Sequence, residues 1–477
     1  MTHIHIPFRN DIVGSFLRPK ALKEGRQAFE DGQITAEELR FLEDEAIVDL
    51  VEKEKKNGLH DFTDGEFRRA FWHLDFLAAL TGCRQVSVKA WSVHFEGKQP
   101  KATTFRIVGK LDFPEDHPFL SHFCFLKQLE DKDHIAKMTI PSPSMLHLMT
   151  CVREEHPVLP DIYEGHEDVL FDDIVRTYRK AVKAFYDEGC RYLQFDDTSW
   201  GEFCSKDKTD AYRARGVDLE HIKQKYVEVL NDILDEKPED MTITMHICRG
   251  NFRSTWFSSG GYEPVAEVLF GHCHVDGFFL EYDSDRAGGF EPLRFINGQQ
   301  VVLGLVTSKA PALEKKEDLK QRIEEASKYV PLDRLCLSPP SAVSLPRKRE
   351  TFSPKRNSGP KSGSSAKWPM RCGENKKWSL SHDRAKQKYF LKIPVTAADF
   401  SFSAAVTGFF LWETVKWKKR RTRWNDGEGT GCPEVLMLNS FIRRNYEDNI
   451  SGRRMPVERP VFHEIYSRRH KNGSRTG

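Results

Sequence analysis

The sequence has no apolar run approaching the roughly 18 residues that a membrane-spanning helix needs, so no membrane span is expected. Its first residues, MTHIHIPFRNDIVGSF, hold no basic segment followed by an apolar stretch, and no secretory leader is expected there. Cysteine is too sparse for a disulfide framework. Ten in 477 residues, with no leader, are expected to be reduced thiols of a cytoplasmic protein. Disorder of the whole chain is excluded, because 39% of the residues are hydrophobic and 30% charged, enough apolar material for a sizeable core. At about 150 residues per domain, the length fits two or three domains, or one large α/β barrel with additions.

Net charge is also nearly absent, at +2, but that figure conceals an asymmetry. Residues 341–477 carry 29 Lys and Arg against 12 Asp and Glu, a balance of +17, which leaves −15 for residues 1–340. The first part resembles an ordinary enzyme surface. The second resembles a basic nucleic-acid-binding tail, or a stretch never selected as protein.

Up to residue 340 short apolar runs alternate with longer amphipathic stretches. Strands are expected at Asp11–Phe16, Asp61–Glu66, Lys137–Pro141, Tyr192–Asp196, Thr242–Cys248, Gly277–Tyr282, Val301–Val306 and Arg334–Leu337. Several are nearly continuous apolar runs, as for strands covered on both sides. Helices are expected at Ala36–Lys55, Glu167–Glu188, Leu219–Asp235 and Leu319–Tyr329. Eight strands alternating with helices predict a (β/α)8 TIM barrel over residues 1–340. A small β-hairpin insertion is expected near Gln85–Phe113, where FRIVGKLDF alternates. After Pro340, SLPRKRETFSPKRNSGPKSGSSAKW has no period, so residues 341–477 are expected to form a basic, disordered tail.

Barrel enzymes place their sites at the C-terminal ends of strands. Here those ends carry Ser15, Asp64, Glu66, Asp196, Asp197, His246, Cys248, Glu281, Asp283, Thr307 and Ser308. His246 and Cys248 are two apart in TITMHIC, so an extended strand points both to one side, and Glu281 ends the next strand. His, Cys and Glu together favour zinc over magnesium or calcium. The bland reading is a packed His beside an inert buried Cys. Glu66 and Asp196–Asp197 open into one cavity, suited to a substrate amino group or to acid–base work. A rim network with Arg68, Arg69 and Arg286 is the competing reading. Gly14-Ser15 lets backbone and hydroxyl approach a carboxylate, or is a simple turn. Trp200 and Trp256 are expected to be packing residues rather than stacking platforms.

DIVGSF, TDGEF, LQFDD, HIC and FFLE occur in the order and at the strand ends seen in the cobalamin-independent methionine synthase family. Over residues 5 to 340 the chain resembles the short members that carry only the C-terminal catalytic barrel. The resemblance implies a zinc-dependent S-methyltransferase in which homocysteine, bound as a thiolate, takes a methyl group from a methyltetrahydrofolate-type donor. It implies His246, Cys248 and Glu281 as zinc ligands, and Ser15, Glu66 and Asp196 as holding the amino-acid end of the thiol. No nucleic-acid or membrane partner is implied. Two departures weaken the case for folate as the donor and leave room for another: the N-terminal barrel of the full-length synthases is missing, and Thr307 or Ser308 stands where they have a proton-donating His. A zinc alkyltransferase or lyase acting on another thiol, and an inactive barrel with a basic tail, are the rival readings.

The family's remaining zinc ligand is a Cys just after the eighth strand, and none occurs here between Cys336, which lies within that strand, and Cys372. Synonymous codons for residues 341–351, regrouped in a shifted frame, spell Gln-Cys-Gly-Phe-Ala-Ser-Thr-Glu-Glu-Gly-Asn, a family-like ligand loop. Residues 357–361 permit Gln-Trp-Ala-Lys, and residues 371–376 permit Val-Trp followed by a stop. Loss of the reading frame near Pro340 accounts for both the charge asymmetry and the lost periodicity, and predicts an impaired enzyme without its eighth helix.

Overall fold

The computed structural model describes residues 6–87, 103–250, 256–307 and 314–338. Its strands are β1 (Asp61–Phe62), β2 (Thr81–Ser87), β3 (Thr103–Asp112), β4 (Ile135–Pro141), β5 (Tyr192–Asp197), β6 (Thr242–Ile247), β7 (Gly277–Glu281), β8 (Gln300–Gly304) and β9 (Leu335–Ser338). β2 and β3 pair antiparallel as the expected hairpin insertion. The other seven form one parallel sheet in the order β1-β4-β5-β6-β7-β8-β9, each joined to the next by helical crossovers.

The eighth position is filled differently from expectation. Asp11–Phe16 is not a regular strand, yet its backbone spans the two edges of the sheet. Asp11 N–H donates to the Leu337 carbonyl (3.1 Å), and Leu337 N–H donates to the Arg9 carbonyl (3.0 Å). On the other flank the Thr63 hydroxyl donates to the Gly14 carbonyl (2.7 Å). The ladder fails because side chains capture the backbone. Asp11 accepts from Phe8 N–H (3.0 Å) and Ile12 N–H (2.7 Å), while Lys137 and Gln194 take the Ile12 and Val13 carbonyls. The barrel architecture stands, closed by this irregular segment.

The helices follow their local signals. Helix Ala36–Lys56 opens on a capping box: Thr35 accepts from Glu38 N–H (3.2 Å) and Glu38 accepts from Thr35 N–H (2.8 Å). Lys53, Lys55 and Lys56 close it at the negative end of its dipole. Helices Glu167–Asp187 and Leu219–Leu234 each turn an apolar stripe to the sheet. The helix expected at Leu319–Tyr329 lies at Lys316–Ala326, because its charged first turn disguises the start.

Along the strands alternate residues divide the core. Met138, Ile140, Leu193, Phe195, Ile243, Met245, Phe278 and Leu280 pack in the large cluster with the helices. The intervening set is Lys137, Thr139, Tyr192, Gln194, Asp196, Thr244, His246, Phe279 and Glu281, all buried and mostly polar. The runs that look continuously apolar in sequence are therefore two-faced. Trp200 is fully buried, as expected of a packing residue. Trp256 is not: the residue is 48% exposed, with its ring beside Arg286. Ser308 and residues 341–477 lie outside the described residues.

Candidate active site

At the C-terminal ends of β6 and β7 the donor atoms of His246, Cys248 and Glu281 all lie within 4.8 Å of one another. The strand stops at Ile247, one residue before Cys248, but Cys248 keeps the direction of β6 because its N–H donates to the Asp197 carbonyl (2.7 Å). Gly250 N–H donates to Cys248 Sγ (3.3 Å), which favours a sulfur carrying negative charge. Gly201 permits this arrangement: a Cβ there would stand 2.3 Å from the Cys248 carbonyl oxygen.

Asp196 and His246 face each other across the β5–β6 register. Asp196 Oδ1 lies 3.2 Å from His246 Nδ1, so the imidazole presents Nε2 to the other two donors. That Nε2 is buried with no hydrogen-bond partner, 3.6 Å from Glu281 Oε1. Burial pulls the imidazole pKa down, but the Asp196 hydrogen bond and the negative charges of Asp196 and Glu281 outweigh it and raise it to about 9. One sulfur, one imidazole and one carboxylate suit zinc, so the donor set fits such an ion.

The two carboxylates of LQFDD have separate tasks. Asp197 is a structural hub: Oδ2 accepts from the Ser142 and Ser144 hydroxyls, and Oδ1 accepts from Ser199 Oγ (2.5 Å) and Trp200 N–H (3.1 Å). Asp196 turns instead to His246 and also accepts from Gln194 Nε2 (2.7 Å). Glu66 joins it from a tight turn, with Glu66 N–H donating to Asp64 Oδ1 (2.9 Å). The strand expected over Asp61–Glu66 therefore ends at Phe62. Gly65 and Glu66 both have positive φ, 64° and 59°, a strained backbone for glutamate. Burial raises the Glu66 carboxyl above its ordinary range; Arg69 opposes the shift and Asp196 adds to it. Ser15 is half-buried beside Gly14, at the same end of the barrel, where a Gly14 Cβ would stand 3.1 Å from the side chains of Thr63 and Thr139.

The rim network is present in part. Arg69 Nη1 lies 3.5 Å from Glu66 Oε1, and Arg68 pairs outward with Glu43 (3.3 Å) and Asp44. Arg286 Nη2 pairs with Glu281 Oε2 (2.5 Å) and Asp283 Oδ1 (2.7 Å), and the Thr307 hydroxyl donates to Asp283 Oδ2 (2.8 Å). Gln194 and Gly201 were not legible as site residues. The period of two places Gln194 on the face of Asp196, and a glycine inside SWGEF signals a close approach.

The comparisons bear on family and fold. The family model described as cobalamin-independent synthase, catalytic domain, matches residues 8–357. An uncharacterized Bacillus subtilis protein, YxjH, is 48% identical over 335 residues, covering 70% of this chain and 86% of that one. A methionine synthase of Saccharolobus solfataricus is 22% identical over 349 residues, covering 70% and 87%. A Listeria monocytogenes crystal structure, provisionally a vitamin-B12 independent methionine synthase, matches at TM-score 0.58 and 43% identity, over 70% of this chain and 91% of that one. Fold and site thus define a methyltransferase-like enzyme of the methionine synthase type. The chain belongs to the cobalamin-independent methionine synthase family, through its catalytic barrel. No described helix is long and apolar enough to cross a membrane.

Proposed function

We propose that this chain descends from, and in part retains, a zinc-dependent S-methyltransferase that converts homocysteine to methionine with a methyltetrahydrofolate-type donor. The observation that carries the reading is the convergence of His246, Cys248 and Glu281 at the ends of adjacent strands. Those three residues would hold zinc, which when bound ionises a thiol near neutral pH. The protein's own groups prepare the place. Asp196 fixes the imidazole, Gly250 N–H supports the Cys248 sulfur, and Arg249 N–H donates to Glu281 Oε1 (3.2 Å). Glu66 and Asp196 are the carboxylates for the ammonium of the amino acid, and Ser15 with its backbone is the donor for its carboxylate.

The reading frame lost near Pro340 removes a further Cys ligand and the last helix, so affinity for zinc and turnover are both reduced. The family match runs past Pro340 to residue 357 and does not itself mark that boundary. The test compares the full chain with a version carrying the regrouped Gln-Cys-Gly-Phe segment and its short helical ending. Zinc content and methyl transfer to homocysteine are measured in both. The restored protein should hold zinc more tightly and turn over, whereas the chain as it stands should bind zinc with lower affinity and turn over little or not at all. Equal zinc and equal turnover would show the tail to be no defect.

A further inference from the structure

Glu281 has two chemically distinct oxygens. Oε1 faces the other donors, 3.6 Å from His246 Nε2, and accepts Arg249 N–H at 3.2 Å. Oε2 accepts from Arg286 Nη2 at 2.5 Å, and the same nitrogen lies 2.7 Å from Asp283 Oδ1. The Arg286 side chain is 5% exposed and both carboxylates are fully buried, so these are charge-assisted contacts shielded from water. Arg286 is itself fixed. It lies in the 3₁₀ turn Asp285–Ala287, its carbonyl accepts from Gly260 N–H (2.9 Å), and its guanidinium lies 5.3 Å from the Trp256 ring. Asp283 is tied in turn to the segment after β8 by the Thr307 hydroxyl.

We propose that Arg286 is a positioning residue that confines Glu281 to binding a cation through Oε1 alone, so that a coordination position stays open for the substrate thiol. The inference rests on the metal-site reading above. A carboxylate that gives both oxygens takes an extra position. With His246 and Cys248 it would complete a four-coordinate zinc shell, leaving no open place. The guanidinium prevents this by occupying Oε2. It also balances one of two buried negative charges. Its removal therefore leaves the site more acidic, which holds a cation no less tightly while closing it to thiol. A residue that merely supported the fold would weaken cation and thiol binding together.

The experiment uses the full chain loaded with saturating Co²⁺ as a visible probe, comparing the parent with Arg286→Met and Arg286→Lys. Cobalt retention is measured against a chelator, coordination by the intensity of the visible bands, and thiol binding by the sulfur-to-cobalt band on adding homocysteine. Arg286→Met should retain cobalt at least as well as the parent, show weaker visible bands as coordination rises, and bind homocysteine about tenfold or more weakly. Arg286→Lys keeps the charge but not the planar fork, and should fall between the two; it decides the matter if the Met variant does not fold. Parent-like spectra and homocysteine affinity in the variant overturn the proposal and leave the metal reading intact. So does a joint, proportional loss of cobalt and thiol. A parent chain that takes up no cobalt at saturation overturns both readings.

Discussion

Lys137→Met probes the charges buried beneath the site. The Lys137 ammonium donates to Asp11 Oδ1 (2.9 Å) and the Ile12 carbonyl (2.5 Å), 4.0 Å from Asp61 Oδ2. It also lies over the rings of Tyr192 (4.6 Å) and Phe279 (4.0 Å). Methionine keeps the stem and deletes the charge. Removing one partner of a buried pair costs about 3–5 kcal/mol, because the other charge stays behind. Asp11 retains Tyr192 Oη (2.9 Å) and two backbone donors, which favours the lower half of that range. An upper limit is the cost of protonating an ordinary aspartate at pH 7, about 4 kcal/mol. The expected loss is thus about 3–4 kcal/mol at pH 7. At about 2 °C per kcal/mol for a barrel of this size, the melting temperature falls by roughly 6–8 °C. At pH 5 the limit shrinks to about 1.5 kcal/mol, so the gap between variant and parent narrows. Thermal unfolding followed by circular dichroism at both pH values measures this. A drop under about 2 °C at pH 7, or a gap that widens on acidification, would refute the reasoning.

The Asp61 carboxyl is held well above its ordinary range, first by burial and then by the charge of Asp11, with Lys137 opposing. Its contribution to stability is complete below the ordinary aspartate range and is lost as pH rises through the raised value. Asp61→Asn should therefore flatten the alkaline fall in melting temperature between pH 5 and 9; parallel curves for variant and parent would count against it. Gly201→Ala would press a methyl group against the Cys248 carbonyl, 2.3 Å away, and should cost about 1–3 kcal/mol together with a loss of cobalt retention. Gly271→Ala, in helix Glu263–His272 with its nearest atom 3.9 Å off, should be neutral or slightly stabilising, and the same loss in both variants would remove the close-approach argument.

The legible parts of this molecule are those governed by a short period. His246 and Cys248 were found from the rule that residues two apart share a face, and Glu281 from the neighbouring strand end. The same rule, applied to LQFDD, separates Asp196 from Asp197, since adjacent residues point to opposite faces; reading them as one acidic pair overlooked it. Asp11–Phe16 misled for another reason. Its apolar run has strand composition, but Asp11 bonds its own neighbours' N–H groups and Lys137, 126 positions away, takes a carbonyl. Long-range capture of that kind leaves no local trace. The pairing of Arg286 with Glu281 is equally silent, because Arg286 lies in the 3₁₀ turn Asp285–Ala287 beyond the strand, where no period places it.

The inner face of the barrel also links fold to site. The closing segment presents the Val13 carbonyl to Gln194 Nε2 (2.8 Å), and the same amide donates to Asp196 Oδ1 (2.7 Å), the oxygen that orients His246. Lys137 holds that segment one residue earlier, at Ile12. Three buried polar side chains thus connect the irregular closure of the barrel to the tautomer of a candidate ligand. An apolar residue at Gln194 would pack in the same volume but leave the Val13 carbonyl without this donor and Asp196 with one hydrogen bond fewer. Gln194→Leu should therefore lower both the melting temperature and cobalt retention, whereas Gln194→Glu, isosteric but adding a second negative charge beside Asp196, should destabilise more at pH 8 than at pH 5. If Gln194→Leu lowers stability and leaves cobalt retention at the parental level, the amide supports the barrel wall alone and the connection to His246 is wrong.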